Sequence, residues 1–119
     1  SGFGLASHLG DICKSSGLTA NIHLDKNILI NSNLEILKKF QSTGYKNNYQ
    51  SVSHFISYDE NNPYIDIIYD PQTNGPLLMI IDESRKNSFE RAFLNLYQKK
   101  PLLLGNFTSK KEYWINIAN

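Results

Sequence analysis

His54 and Asp70 are the two side chains in this sequence best suited to work together on a proton. An imidazole titrates near neutral pH, and a carboxylate beside it fixes its tautomer and stabilises its charged form. His54 lies in the β-rich run 53–58 and Asp70 closes the run 64–70, with Asn61, Asn62 and Pro63 between them. Two such runs joined by turn residues read as a hairpin. A turn centred on Asn62 sets His54 across from Asp70, and directly opposed residues of an antiparallel pair have Cβ atoms roughly 4.5–5.5 Å apart. Taken without function, this is a cross-strand pair at a sheet end. Taken as a site, it needs a nucleophile from another element.

Cys13 is one candidate nucleophile. A thiolate attacks well when an imidazolium or a helix N-terminus lowers its pKa. Cys13 falls late in its helix, where a buried cysteine also serves as a small apolar residue. The start of that helix is the better electrostatic position for negative charge, and Ser1-Gly2-Phe3-Gly4 occupies it. His8 and His23, with Thr108 or Tyr113, form a second constellation suited to acid–base cleavage of RNA. His8, Cys13 and His23 lack the close spacing of metal ligands. No Gly-rich phosphate loop or G-x-S-x-G elbow is present, so neither a cofactor nor a metal is expected.

The elements that must position these groups read as follows. A helix over 2–15 carries Leu5, Leu9 and Ile12 as its apolar stripe, with Ala6 and Cys13 at the edge and Gly17 as its stop. A short strand falls at 21–24. Ser32 or Asn33 caps a second helix over 34–40. Residues 41–50 read as a polar loop. After the hairpin, Asn74-Gly75 marks a turn, and 77–81 reads as a strand covered on both faces. Ser88 caps a helix over 88–98, and two further strands fall at 102–104 and 112–117. The layout is α+β, with helices packed against a small antiparallel sheet and one helix inserted, all in a single domain over 1–119.

Composition narrows the function classes. The chain has 119 residues, is 40% hydrophobic and has a net charge of +1, which suits a folded domain with its own core. So small a charge is unlike that of a protein built to neutralise phosphates, so nucleic acid is not an expected partner. Lys99-Lys100 and Lys110-Lys111 read as solvated lysines. A single cysteine excludes an internal disulfide and favours a reducing environment. No apolar run is long enough to span a membrane, and no basic segment followed by an apolar stretch opens the chain.

From Ser53 onward the sequence resembles the C-terminal half of papain-like cysteine enzymes. The nearest in pattern are bacteriocin-processing peptidases, YopT-type peptidases and the papain-fold domains of bacterial polymorphic toxins. His54-Phe55-Ile56 is similar to the strand that their catalytic histidine opens, and Ile67-Ile68-Tyr69-Asp70-Pro71 to the strand that their aspartate closes. Asn74-Gly75 and the strand, helix and strand after it continue the pattern. Ser1-Gly2-Phe3-Gly4 looks like the family's Cys-Gly helix start with serine in the nucleophile's place. The Cys13-to-His54 separation is similar instead to the glutamine-deamidase branch. Neither candidate is preceded by the family's oxyanion-hole glutamine.

The resemblance implies a papain-like thiol hydrolase acting on protein amide bonds, as a cysteine peptidase or a glutamine deamidase. Cys13 would attack, His54 would move the proton and Asp70 would orient His54. It further implies a bacterial toxin or effector domain, secreted or delivered within a larger protein into a target-cell cytoplasm. Its partners would be a protein substrate and a cognate immunity protein. The alternatives are an inactive papain-like binding module, a histidine-dependent RNase toxin, and an immunity or adaptor protein that acts without turnover.

Overall fold

The computed structural model describes residues 1–29 and 33–118. The chain opens with α1 (Gly4–Ser16). Its buried seam is Ala6, Leu9, Gly10 and Cys13, at three- and four-residue spacing. Leu5 and Ile12 are only half-buried, so the seam is rotated from the expected stripe toward the smaller residues. Steric fit accounts for the rotation. A Cβ on Gly10 would lie 2.8 Å from the Phe55 ring, so the glycine that weakens the helix locally is what admits that ring. Gly17 ends the helix in the left-handed conformation, and its N–H donates to the Cys13 carbonyl at 2.9 Å.

The sheet has four strands, β1 (Leu18–His23), β2 (Ile56–Ser57), β3 (Gly105–Ser109) and β4 (Ile115–Ala118), in the order β2-β4-β1-β3. β1 runs antiparallel to β3 but parallel to β4, and β2 is parallel to β4. Ala20, Ile22, Ile56, Ile115 and Ile117 join Ala6, Leu9 and Cys13 of α1 in the core. The alternate positions are polar. Ser57, Asn116, Asn21 and Asn106 stand in register across all four strands. Asn21 donates from its side-chain amide to the Thr108 hydroxyl at 3.0 Å. Asn116 donates to the Asn21 side-chain oxygen at 3.4 Å. Thr19, buried in β1, donates to the Tyr113 carbonyl at 2.9 Å and accepts from the Lys111 N–H at 2.8 Å, which ties the β3–β4 connection to β1.

The layout is α+β as expected, with four α-helices and this four-stranded sheet among the described residues, but the sheet is mixed rather than antiparallel. The expected hairpin does not form. Asn62 turns the chain, accepting from the Tyr64 N–H through its side-chain oxygen at 2.9 Å. Bonds from Ile67 to Tyr64 and from Asp70 to Ile67 then wind Ile65–Tyr69 into a 3-10 helix. Burial decides this. Ile67, Ile68 and Tyr69 are all buried, which a half-covered strand of alternating faces would not allow. β-propensity yields here to packing.

Residues 41–50, read as a loop, are mostly helix: α3 (Thr43–Val52), capped by the Ser42 hydroxyl, which accepts from the Tyr45 N–H. Its buried positions are Tyr45, Asn48 and Val52, so its apolar stripe is interrupted by an amide. α2 (Leu34–Lys39) is capped by Asn33; the other candidate cap, Ser32, lies outside the described residues. Residues 77–81, read as a strand, belong to no helix or strand ladder among the described residues. Of the 102–104 run, the Leu104 carbonyl accepts from the His23 N–H at 3.0 Å, beside the end of β3. α4 (Lys86–Tyr97) begins before Ser88, which is therefore not its cap. Among the described residues no helix is long and apolar enough to cross a membrane.

Gly10→Ala sets two effects against each other. Helix propensity gains about 1 kcal/mol, while pushing a methyl into the buried Phe55 ring costs about 1–3 kcal/mol. The contact wins because Phe55 is itself enclosed. Urea denaturation of Gly10→Ala is expected to show a lower midpoint with an unchanged slope.

Candidate functional site

The three residues singled out for proton and thiol chemistry lie in different settings. Cys13 is 0% exposed. Burial pushes its thiol above the ordinary value, only partly offset by a hydrogen bond with the Ala20 backbone and the charge of Lys110. His54 sits on the 3-10 turn Ser53–Phe55, exposed, with its ring edge-on to Phe55 at 5.0 Å. Asp70 follows the Ile65–Tyr69 turn, half-buried. Its carboxylate accepts from the Gln72 side-chain amide at 2.6 Å. Desolvation raises the Asp70 carboxyl above its usual range, and the Gln72 bond offsets part of that. Among the described residues no hydrogen bond or ion pair joins any two of the three. Without the hairpin, His54 does not stand across from Asp70.

The histidines considered for RNA cleavage are also on separate elements. His23 ends β1 and its Nε2 lies 3.5 Å from the Asp25 carboxylate. His8 is on α1. Thr108 is engaged by Asn21. No group of three or more His, Cys, Asp or Glu side chains among the described residues is placed to hold a metal ion.

What the fold does bring together is the start of α1 and the turn after Asp70. Residues 1–4 and 70–72 are far apart in sequence, yet two backbone bonds clasp them. The Ser1 nitrogen donates to the Gln72 carbonyl at 2.7 Å, and the Gln72 N–H donates to the Ser1 carbonyl at 2.8 Å. Asn48 of α3 lies behind the clasp, with its amide donating to the Gly2 carbonyl at 3.0 Å and the Tyr69 carbonyl at 2.9 Å. Gly4 has φ +77, and a Cβ there would lie 2.9 Å from the Ile68 carbonyl oxygen. Only glycine fits this crossing without strain. Pro71 rests on Gly44 of α3.

The clasp exposes polar groups at one spot. The Ser1 hydroxyl is hydrogen-bonded to His8 Nε2 and accepts from the Phe3 N–H at 3.2 Å. The Phe3 ring is edge-on to His8 at 6.4 Å. The first turn of α1 has no side-chain cap, which leaves main-chain donors of the kind that favour anions. A hydroxyl and an imidazole therefore meet at an exposed helix start, and the hydrogen-bonded Asp70 and Gln72 side chains belong to the segment clasped to it. Reading the sequence locates that helix start but leaves Gln72 and Asn48 out. No spacing rule links residue 1 to residue 72, and Asn48 lies in a stretch read as loop.

No family model matches the chain. It is similar to curated proteins named selenide, water dikinase. The protein of Sulfurimonas denitrificans is 32% identical over 96 residues, which cover 76% of this chain and 26% of that protein. That of Shewanella sp. strain ANA-3 is 33% identical over 110 residues, 88% of this chain and 30% of the relative. That of Caldanaerobacter subterraneus subsp. tengcongensis is 28% identical over 118 residues, 98% of this chain and 34% of the relative. The chain thus spans about a third of the length of the curated relatives it matches.

These similarities overturn the papain-like reading. They run along nearly the whole chain and point to dikinases, not to cysteine peptidases, deamidases or toxins. The roles drawn for Cys13, His54 and Asp70 belonged to thiol hydrolysis and go with it. Nothing then supports a protein substrate or an immunity partner, and the inactive papain-like module and the RNase toxin are equally without support.

Two outcomes follow from this geometry. Iodoacetamide should alkylate Cys13 more slowly than a free thiol between pH 6 and the ordinary thiol value of 9.0, and His54→Ala should leave that rate unchanged. The folded thiol ionises above the unfolded one, so its contribution to stability is present below the unfolded pKa and is lost as pH rises. Asn48→Ala removes a buried amide from two carbonyls. A loss of about 2–6 kcal/mol is expected in chemical denaturation, since each of the two carbonyls left unsatisfied costs about 1–3 kcal/mol.

Proposed function

We propose that this chain is a segment of a phosphoryl-transfer enzyme of the selenide, water dikinase kind, and that the clasp at the start of α1 is its contribution to the reaction site. The observation that carries the reading is the similarity along the chain, 33% identity over 88% of its length to the Shewanella relative. The relatives' name denotes phosphoryl transfer to selenide and to water. Such chemistry depends chiefly on holding anionic oxygens in position and offsetting their charge. An uncapped helix start, the Ser1 hydroxyl and His8 are groups of that type. Asn48 and Gly4 keep residues 1–4 and 70–72 together so that these groups share one surface. The parts of the relatives that this chain does not match would supply the remainder of the site.

The test is a chimera in which this chain replaces the matched third of the Shewanella dikinase, with selenide-dependent phosphate release as the readout. The chimera is expected to turn over, the 119-residue chain alone is expected not to, and His8→Ala in the chimera is expected to lower turnover by at least about tenfold. A chimera that folds, as judged by its circular dichroism and melting transition, but releases no phosphate would refute the proposal.

A further inference from the structure

Asn74 is followed by Gly75, and no other asparagine in the chain precedes a glycine. That pair carries a reaction of its own, in which the main-chain nitrogen of the second residue attacks the side-chain carbonyl carbon of the first. Glycine permits this best, because no side chain shields its nitrogen and its backbone turns freely toward the amide. Asn62 precedes proline, which has no N–H. Asn21, Asn27 and Asn116 precede isoleucine, whose β-branch stiffens and shields the backbone beside it.

The fold leaves Asn74 open to this attack. Residues 73–77 are exposed, so water reaches the amide. None of the side-chain hydrogen bonds among the described residues engages the Asn74 amide. One contact opposes the reaction. The Gly75 N–H donates to the Gln72 carbonyl at 3.1 Å, and attack requires that this proton leave. A bond at the long end of the normal range slows the attack without forbidding it.

Gln72 makes the position consequential, because it joins 70–72 to the start of α1. Its N–H donates to the Ser1 carbonyl at 2.8 Å, and its carbonyl accepts from the Ser1 nitrogen at 2.7 Å. Its side-chain amide donates to the Asp70 carboxylate at 2.6 Å. The turn sits so tightly on this residue that a Cβ on Gly75 would lie 2.8 Å from the Gln72 Cβ.

We propose that Asn74 is a self-deamidation site and that its conversion loosens the clasp. The Gly75 nitrogen gives its proton to hydroxide and forms a bond to the Asn74 Cγ. The carbon–nitrogen bond of the side-chain amide breaks and ammonia leaves, which closes a succinimide ring. Water then adds to a ring carbonyl and the ring carbon–nitrogen bond there breaks. Opening on one side yields aspartate. Opening on the other yields isoaspartate, with an extra methylene in the main chain. The net change consumes a water and releases an ammonia, and nothing is oxidised or reduced. Three effects reach Gln72. While the ring stands, Gly75 has no N–H to donate, so the Gln72 carbonyl loses that bond. After opening, a new carboxylate stands in the turn that follows Asp70 and adds like charge to it. The isoaspartyl form lengthens the main chain where there is no room beside Gln72 for a single Cβ. Nothing in this depends on the dikinase reading.

The experiment incubates the 119-residue chain in mildly alkaline buffer, native and in concentrated urea, and follows the peptide holding Asn74 by mass spectrometry. Anion exchange separates the converted chain, and hydrogen exchange then reads its Gln72 amide. Native conversion at Asn74 is expected to lag that in urea by no more than about tenfold, the protection that one hydrogen bond gives. In the converted chain the Gln72 amide is expected to exchange at least about tenfold faster, as local opening becomes easier. Asn74→Gln is expected to abolish both effects, since its longer side chain must close a less favoured ring. The site is exposed, so that variant should keep the wild-type far-ultraviolet circular dichroism. An Asn74 that converts in urea but stays intact in the native chain overturns the inference, and conversion in neither overturns it equally. So does a converted chain whose Gln72 amide exchanges at the original rate. Loosening of equal size in incubated Asn74→Gln also overturns it, because the cause then lies elsewhere.

Discussion

The close approach of α1 to the rest of the molecule is the constraint on which everything else depends. At Gly4 the helix start crosses the backbone of Ile68 and Tyr69, and at Gly10 it receives the ring of Phe55. Cys13, one turn further, is fully enclosed. With side chains at these positions, α1 would stand off from the sheet. The Ile65–Tyr69 turn would then lose its floor, and the reciprocal bonds between Ser1 and Gln72 would not close. Each glycine costs helix stability locally, on the order of 1 kcal/mol, and the tertiary contact more than offsets that cost. The same contact explains why a cysteine suits this seam: it is small enough to fit and apolar enough to be dry.

Reading the sequence recovers those elements whose signals are local. α1 is legible from its apolar spacing and from Gly17, and α2 from Asn33 and Glu35. The apolar face of α4 is visible in Phe89, Phe93 and Leu96. The errors arise where tertiary context overrides a local preference. Residues 64–70 are rich in isoleucine and tyrosine and so read as strand, but Asn62 starts a turn and the core claims three consecutive side chains. Residues 41–50 are polar enough to read as loop, because the helix that takes up most of them buries an asparagine for the sake of two carbonyls. The α+β layout survives these errors; the antiparallel sheet and the papain-like topology do not.

The site was legible only in part. The start of α1 stands out on electrostatic grounds alone, since a helix N-terminus favours negative charge. His54 and Asp70 stand out because their residue types match a familiar reaction, and the opposition that would have joined them depended on a hairpin. Asp70 instead accepts a hydrogen bond from the Gln72 side-chain amide. Residue type is informative about possible chemistry; only the backbone path decides which groups meet.

The sheet also governs the order of assembly. β1 lies between β3 and β4, pairing Ala20 with Phe107 on one side and with Ile115 on the other. Both partners lie far downstream of β1 in the sequence. Loop closure over such a span is slow compared with helix formation, so α1 and α3 can form while β1 still has neither neighbour. Until residues 105–118 arrive, the buried face of β1, with Ala20 and Ile22, has no flanking strand, and nascent chains stalled before that point expose an open edge to aggregation.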